Sequence, residues 1–403
     1  MTRRRLGLVA LAAAGLAVLG CSERLTSPAD CPALCPGGGI AQFDTVLTAM
    51  PHLDSSFTGY VDRGATGVML ASDSFSAGDN RAVVRFLPRD TTVLIGGQLV
   101  TYTVDSVAIN LGLIARDTLL PGLKLVMHRL PRTVDTTTTF DQVEAWRVDS
   151  TLVDTFTVAD TVRSGRTVRL LIKGDKVPRM AIASADSGVL ALAISTVGSQ
   201  HTGVRLSGVT GFLAPSFVTY ARANVQDTLT QRQTITRTAD IGTWVTRPAT
   251  VTPPAGALVV GGTPSSRALL RFQLPARLRD TATIVRATLE LVPALPFAGI
   301  ASDPSAISVR GVRADVGAKS PIFTAPVQQA RITPGSADTV KVEVAPIVAN
   351  WRGANPLPPT LQVFLSPEAS SFTVGYFLSS RSPTPSPARL RITYLMPFPF
   401  ERP

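Results

Sequence analysis

Three cysteines and three histidines carry the most reactive side-chain chemistry in this chain of 403 residues. Cys31 and Cys35 are separated by three residues, a spacing at which a small disulfide loop can close in an oxidising compartment. A structural metal site needs four ligands, and no second Cys/His pair complements these two thiols. His52, His128 and His201 are scattered, and none stands in H-E-x-x-H. The nucleophile elbow G-x-S-x-G is absent, as are the glycine-rich phosphate loops. No pair among the 28 acidic residues stands out for two-carboxylate glycoside hydrolysis. Asp73-Ser-Phe-Ser-Ala-Gly-Asp79-Asn80 offers oxygen ligands near a glycine but lacks the twelve-residue calcium-loop spacing, and it reads as a turn. The sequence therefore assigns no catalytic, cofactor-binding or metal-ligating residue. Non-covalent chemistry is left to the aromatics, because a flat ring can stack on a sugar. Trp146, Trp244, Trp351 and Tyr376 are the candidates. Trp351 reads as core, whereas Trp244 and Tyr376 are the candidate ligand-face aromatics.

Cys21 differs from the other thiols by the residues before it. Arg3, Arg4 and Arg5 are followed by an uncharged stretch, Leu6 to Leu19, and then by Gly20 and Cys21. The apolar run is short of the ~20 residues that a bilayer span needs and fits a signal-peptide core. Val18-Leu19-Gly20-Cys21 resembles the lipobox of bacterial lipoproteins, although Val18 and Leu19 depart from the preferred order. The resemblance implies cleavage after residue 20 and a diacylglyceryl group on Cys21. One acyl chain holds a protein only marginally, and two or three anchor it stably. Ser22 stands where an aspartate would resemble an inner-membrane retention signal, so the outer membrane is expected. Residues 21–41, rich in Ser, Pro and Gly, read as a flexible tether.

Composition bounds the fold of the remainder. With 45% hydrophobic and only 17% charged residues, the chain can bury a core and is neither disordered nor a coiled coil. Helical periodicity is scarce beyond residue 42. Short Thr- and Val-rich alternations bounded by turn residues predict strands, and 31 Gly and 31 Pro punctuate them. The pattern also repeats. Arg81-Ala-Val-Val-Arg-Phe86 returns as Arg267-Ala-Leu-Leu-Arg-Phe272, and Thr103–Leu111 matches Thr283–Leu291. Phe217-Val-Thr-Tyr220 aligns with Arg391-Ile-Thr-Tyr394. A repeat this long is a duplication rather than a solenoid. Strand alternation places Ala82, Val84 and Phe86, like Ala268, Leu270 and Phe272, on one face. Arg81, Arg85, Arg267 and Arg271 are then expected on the opposite, solvent side, as are Ala108 and Asn110 or Thr288 and Glu290.

The second copy resembles the DNRLRE-type domain, a β-sandwich module of bacterial surface and secreted proteins. The resemblance rests on Arg267–Leu274, Ala282–Leu291, Val342–Gly353 and Pro387–Tyr394, with Gln273 in place of the family's usual aspartate. The first copy is more diverged and lacks a counterpart of Trp351. The resemblance implies jelly-roll-like sandwiches; some members of the family bind polysaccharide and others are structural modules. The expected architecture is all-β, two tandem antiparallel β-sandwiches. The signal covers 1–20, the tether 21–41, the first sandwich 42–222, the second 230–396 and a tail 397–403, with a polar linker near Ala221 to Gln233.

Charge argues against nucleic acid. Removal of the three signal arginines leaves +8 of the net +11, and no basic cluster interleaved with aromatics stands out. The expected function is a lipid-anchored envelope protein acting as a non-enzymatic binding or adhesion module, with polysaccharide or another envelope polymer as partner and no cofactor. A structural envelope protein without a small ligand is the alternative, followed by a hydrolase with a cryptic site. Cys21→Ala is expected to abolish labelling with radioactive palmitate and to release the protein from the membrane fraction. Retained labelling would refute the anchor.

Overall fold

The computed structural model describes residues 42–396 apart from 60, 62–66, 74–77, 89, 181–187, 198–201, 227–228, 249–251, 301 and 354. The expected signal, the expected tether with Cys21, Cys31 and Cys35, His201 and the expected tail 397–403 lie outside the described residues. The alternating stretches form strands. The first half holds β1 (Gln42–Thr48), β2 (Ser55–Thr58), β3 (Val68–Asp73), β4 (Gly78–Phe86), β5 (Thr92–Ile95), β6 (Gln98–Arg116), β7 (Lys124–Leu130), β8 (Leu152–Thr157), β9 (Arg166–Lys173), β10 (Leu190–Val197), β11 (Thr202–Ser207) and β12 (Ser216–Gln226). Then come β13 (Leu229–Pro248), β14 (Leu258–Gly261), β15 (Ser266–Arg271), β16 (Thr283–Leu291), β17 (Ser305–Val312), β18 (Ile322–Ile332), β19 (Val340–Glu343), β20 (Thr360–Ser366), β21 (Val374–Phe377) and β22 (Arg389–Leu395). Helices are short: α1 (Phe140–Trp146), α2 (Ala276–Asp280) and α3 (Ala345–Val348).

Neighbouring strands among the described residues pair antiparallel, and the fold is an all-β sandwich architecture. One core lies between β4, β10 and β7, which contribute Ala82, Val84, Phe86, Leu192 and Met127, and β6 with β9, which contribute Ile109, Leu111 and Leu170. A second lies between β15, β20 and β17, with Leu270, Val363 and Val309, and β16, β19 and β22, with Leu289, Val342 and Ile392. The inward phases expected for both copies of the first two repeated strands are observed. In register, Ala82 faces Ile194 and Ala268 faces Val363.

The opposite faces differ from expectation. Ala108 is fully buried and Thr288 nearly so. Val83 is covered by Phe140 and Val143 of α1, a helix whose start is fixed by a capping box between Thr139 and Gln142. Arg81 is buried and donates to Glu144 at 2.9 Å, and Arg267 makes a two-pronged pair with Glu368. At Arg81, Val83 and Arg267 the outer face is engaged by other elements, which single-strand alternation cannot report. The third repeated strand is offset by one residue from the expected alignment. Phe217 lies opposite Ile109 as Leu390, not Arg391, lies opposite Leu289.

The largest departure concerns pairing. β1, expected to open the first unit, pairs along its whole length with β22, from Gln42 opposite Leu395 to Thr48 opposite Arg389. β2 pairs with β15. The stretch expected as a linker is paired strand on both sides of residues 227–228, because β13 folds back on β12. β13 then breaks register between Ala239 and Ile241 and continues along β4, crossing from one layer to the other. Hydrogen-bond satisfaction explains both results, since the β22 and β4 edges would otherwise expose unpaired backbone groups beside a core.

The two cores meet at a buried junction. Leu70 and Trp244 pack against Ile300, Phe372, Val374 and Tyr376. Gly203 admits the Phe372 ring so closely that a Cβ there would come within 3.0 Å of it. Beside them Arg205 pairs with Asp303 at 2.9 Å and donates to the Ser370 carbonyl at 3.1 Å. Burial pushes the Asp303 carboxyl up, against the pull of Arg205 and of a Ser371 hydroxyl, and burial lowers Arg205. Removing one member leaves the other charged and desolvated. Arg205→Ala is expected to destabilise by about 3–5 kcal/mol in urea melts, and the added change Asp303→Leu is expected to restore part of the loss. Losses of Arg205→Ala and Asp303→Leu that simply add in the double variant would show that the pair is not coupled.

Candidate functional site

Trp244 and Tyr376, expected on a ligand face, are instead buried at the junction, 1% and 8% exposed. The structure brings the two together in one apolar cluster, and burial raises the Tyr376 phenol. Side chains from both halves cover the two rings, so neither can stack on a polymer. Trp244 also borders a cavity of about 260 Å³ with Thr246, Thr263 and Pro264. Trp351 is core, as expected, stacked on Phe272 at 6.2 Å. Trp146 packs half-buried against the cluster around α1.

The outward surface that is open lies on the sheet formed by β9, β6, β12 and β13. Register brings its residues together. Asn110 faces Arg169, Ala108 faces Leu171 and Ser106 faces Lys173 across β6 and β9. On the other side of β6, Tyr220 lies opposite Ser106, and β13 places Thr234 beside Tyr220 and Arg232 beside Arg222. The inward alternates, Ile109 and Leu170, are buried in the core. The outward set lines a groove of about 610 Å³ bordered by Asp105, Arg169, Lys173, Tyr220, Arg232 and Thr234.

Electrostatics give the groove a sign. Arg169 donates to the Tyr220 hydroxyl at 2.7 Å, and its guanidinium lies 5.3 Å from the ring centroid. The contact holds the guanidinium over the sheet beside the ring. Arg222 donates to Asp105 at 2.7 Å, a bond that raises the arginine further. Lys173 and Arg232 form no ion pair among the described residues and are solvent-exposed. One carboxylate thus balances one of four cations. Such a surface can hold a carboxylate, sulfate or phosphate by charge-assisted hydrogen bonds and can present an aromatic plane to a sugar ring. The groove was not anticipated from the sequence. Its one signal is Arg169-Leu-Leu-Ile-Lys173, in which strand alternation places both cations on a single face.

A second polar constellation lies under α1. Glu144 accepts from Arg81 at 2.9 Å and from Arg147 at 2.5 Å, and Arg147 also donates to Ser195 at 3.0 Å. His128 is buried nearby on β7. Burial pushes the Glu144 carboxyl up, but the Arg147 hydrogen bond and the Arg81 charge outweigh it and hold it low. Arginines occupy the carboxylate and the serine hydroxyl, so the set is wired as an ion-pair network. Among the described residues no group of three His, Cys, Asp or Glu side chains is placed to hold a metal.

No family model matches the chain, and no curated protein matches it. Among solved structures, that of the Macrobrachium rosenbergii nodavirus aligns with 88% of this chain and 89% of its own at 9% identity. Its TM-score of 0.12 is too low to carry any argument about fold.

Burial, then the Arg147 charge, lowers His128 below its ordinary value of 6.5. The unfolded chain then takes up a proton below about pH 6.5 that the folded chain refuses, so this group's contribution is intact above that pH and lost as pH falls. His128→Gln is expected to flatten the pH dependence of the urea midpoint between pH 7.5 and 5.5. An unchanged slope would show that His128 does not set it.

Proposed function

We propose that this chain is the body of an exported, lipid-anchored envelope protein that binds an anionic polysaccharide or similar envelope polymer without chemical conversion. The observation that carries this reading is the cationic groove on the β9–β6–β12–β13 face, with Arg169 poised beside Tyr220 and with Lys173 and Arg232 unpaired among the described residues. Guanidinium groups suit carboxylated or sulfated sugars because their planar fork matches a bidentate anion. The anchor reading rests on Cys21 and the apolar run before it, with the outer membrane as destination. The duplicated strand motifs support tandem DNRLRE-type modules as the ancestry of the fold.

A glycan array probed with the mature protein is the direct test. Uronate-bearing or sulfated chains are expected above neutral ones, with affinity falling as salt is raised. Arg169→Ala combined with Lys173→Ala is expected to weaken binding about tenfold or more, equivalent to ~1.4 kcal/mol. Tyr220→Phe, which keeps the ring and removes the acceptor, is expected to have a smaller effect. Binding confined to neutral glycans, or none, would overturn the assignment and favour a purely structural role.

A further inference from the structure

Each copy of the repeat begins with a segment that, by its place in the chain, should complete that same copy. Gln42–Thr58 precedes Arg81–Phe86, and Leu229–Pro248 precedes Arg267–Phe272 by a similar distance. In the fold each segment completes the other copy. The first pairs with β22 and β15, the second with β12 and β4.

The two acceptor sites correspond residue by residue. Ser56 lies opposite Ala268 where Trp244 lies opposite the equivalent Ala82, and Phe57 lies opposite Arg267 where Val245 lies opposite Arg81. On the outer strands Leu47 lies opposite Leu390 where Arg237 lies opposite the equivalent Phe217. The repeated arginines reach the exchanged segments as well. Arg271 donates to the Leu53 carbonyl, and Arg85 makes a two-pronged pair with Asp240. The first segment is further pinned inside its acceptor. The buried Asp54 accepts from the Ser380 amide and hydroxyl at 3.2 and 3.0 Å, and Ala49 and Met50 donate to the Ala388 and Arg271 carbonyls.

We propose that this arrangement is a reciprocal strand exchange, and that the same cleft between β22 and β15 accepts Gln42–Thr58 from a second copy of the chain. The acceptor already takes a segment that is not the one preceding its own repeat, so recognition lies in the paired register and the Asp54 anchor rather than in the connection. Two copies that trade this segment would make the same hydrogen bonds and bury the same side chains as one copy does alone, the condition for domain swapping. Only the connection differs. A short linker of this kind sets an effective concentration on the order of millimolar for the internal pairing, so exchange between copies is expected at comparable protein concentrations or after transient warming.

Cross-linking in register tests this with the full mature chain, Cys21, Cys31 and Cys35 being replaced by serine. Val46 and Arg391 are exposed Cα partners on β1 and β22. One preparation carries Val46→Cys and the other Arg391→Cys. After mixing, warming and oxidation, a species of twice the chain mass is expected on a non-reducing gel, and it is expected to be several-fold weaker when Arg389→Cys, out of register with Val46, replaces Arg391→Cys. The chain carrying both Val46→Cys and Arg391→Cys is expected to cross-link internally at monomer mass. Internal cross-linking without any dimer at millimolar concentration would overturn exchange between copies. Failure of the internal cross-link in a chain that melts like the parent would overturn the exchanged arrangement itself.

Discussion

The antiparallel pairing of Gln42–Thr48 with Arg389–Leu395 is the constraint on which the rest of the structure depends. It converts β22 from an edge into an interior strand and delivers Leu47 and Ala49 to the second core. It also commits Ser55–Thr58 to β15, because only a few residues separate the two pairings. With that position taken, the β4 edge of the first core is left for β13. The bulge near Asp240 is where β13 turns from one layer to the other. Unpaired edges beside a core are costly in water and invite aggregation, and the reciprocal arrangement leaves neither core open on this side.

Arginine does much of the joining. Arg81 and Arg85, and their counterparts Arg267 and Arg271, all point away from the cores, yet each ends on a carboxylate supplied from elsewhere in the fold. The chain's positive balance is thus partly consumed in fastening layers. The residue types suit this role, because a guanidinium fork keeps its charge and binds a carboxylate in a fixed plane. At the junction the same device is buried with Arg205 and Asp303, where geometry must offset desolvation. On the β9–β6–β12–β13 face Lys173 and Arg232 are not so consumed among the described residues.

Legibility followed the range of the interactions. The strand class and the inward phases of Ala82–Phe86 and Ala268–Phe272 were readable because alternation is local. The core position of Trp351 was readable from the large apolar area of its ring. The cover supplied by other elements was not readable, and Trp244, Tyr376 and the repeated arginines were therefore expected on open faces when other elements bury or engage them. The partner of β1 lies more than three hundred residues away, and no local pattern specifies it. The groove has the same origin, since Arg169, Tyr220 and Arg232 meet only through the register of four strands. Within it, the alternation of Arg169 and Lys173 was visible in the sequence but indistinguishable from the scattered cations elsewhere.

The closure of β1 on β22 also sets an order of events in time. β1 is the first described strand to leave the ribosome, and its partner is the last. At the usual ~5–20 residues per second, synthesis of the intervening chain occupies roughly 20–70 seconds. During that interval β1 has no complementary edge in the second core, and that core cannot close. Whatever guards the nascent chain must keep a Thr- and Val-bearing strand from pairing elsewhere until β22 is made.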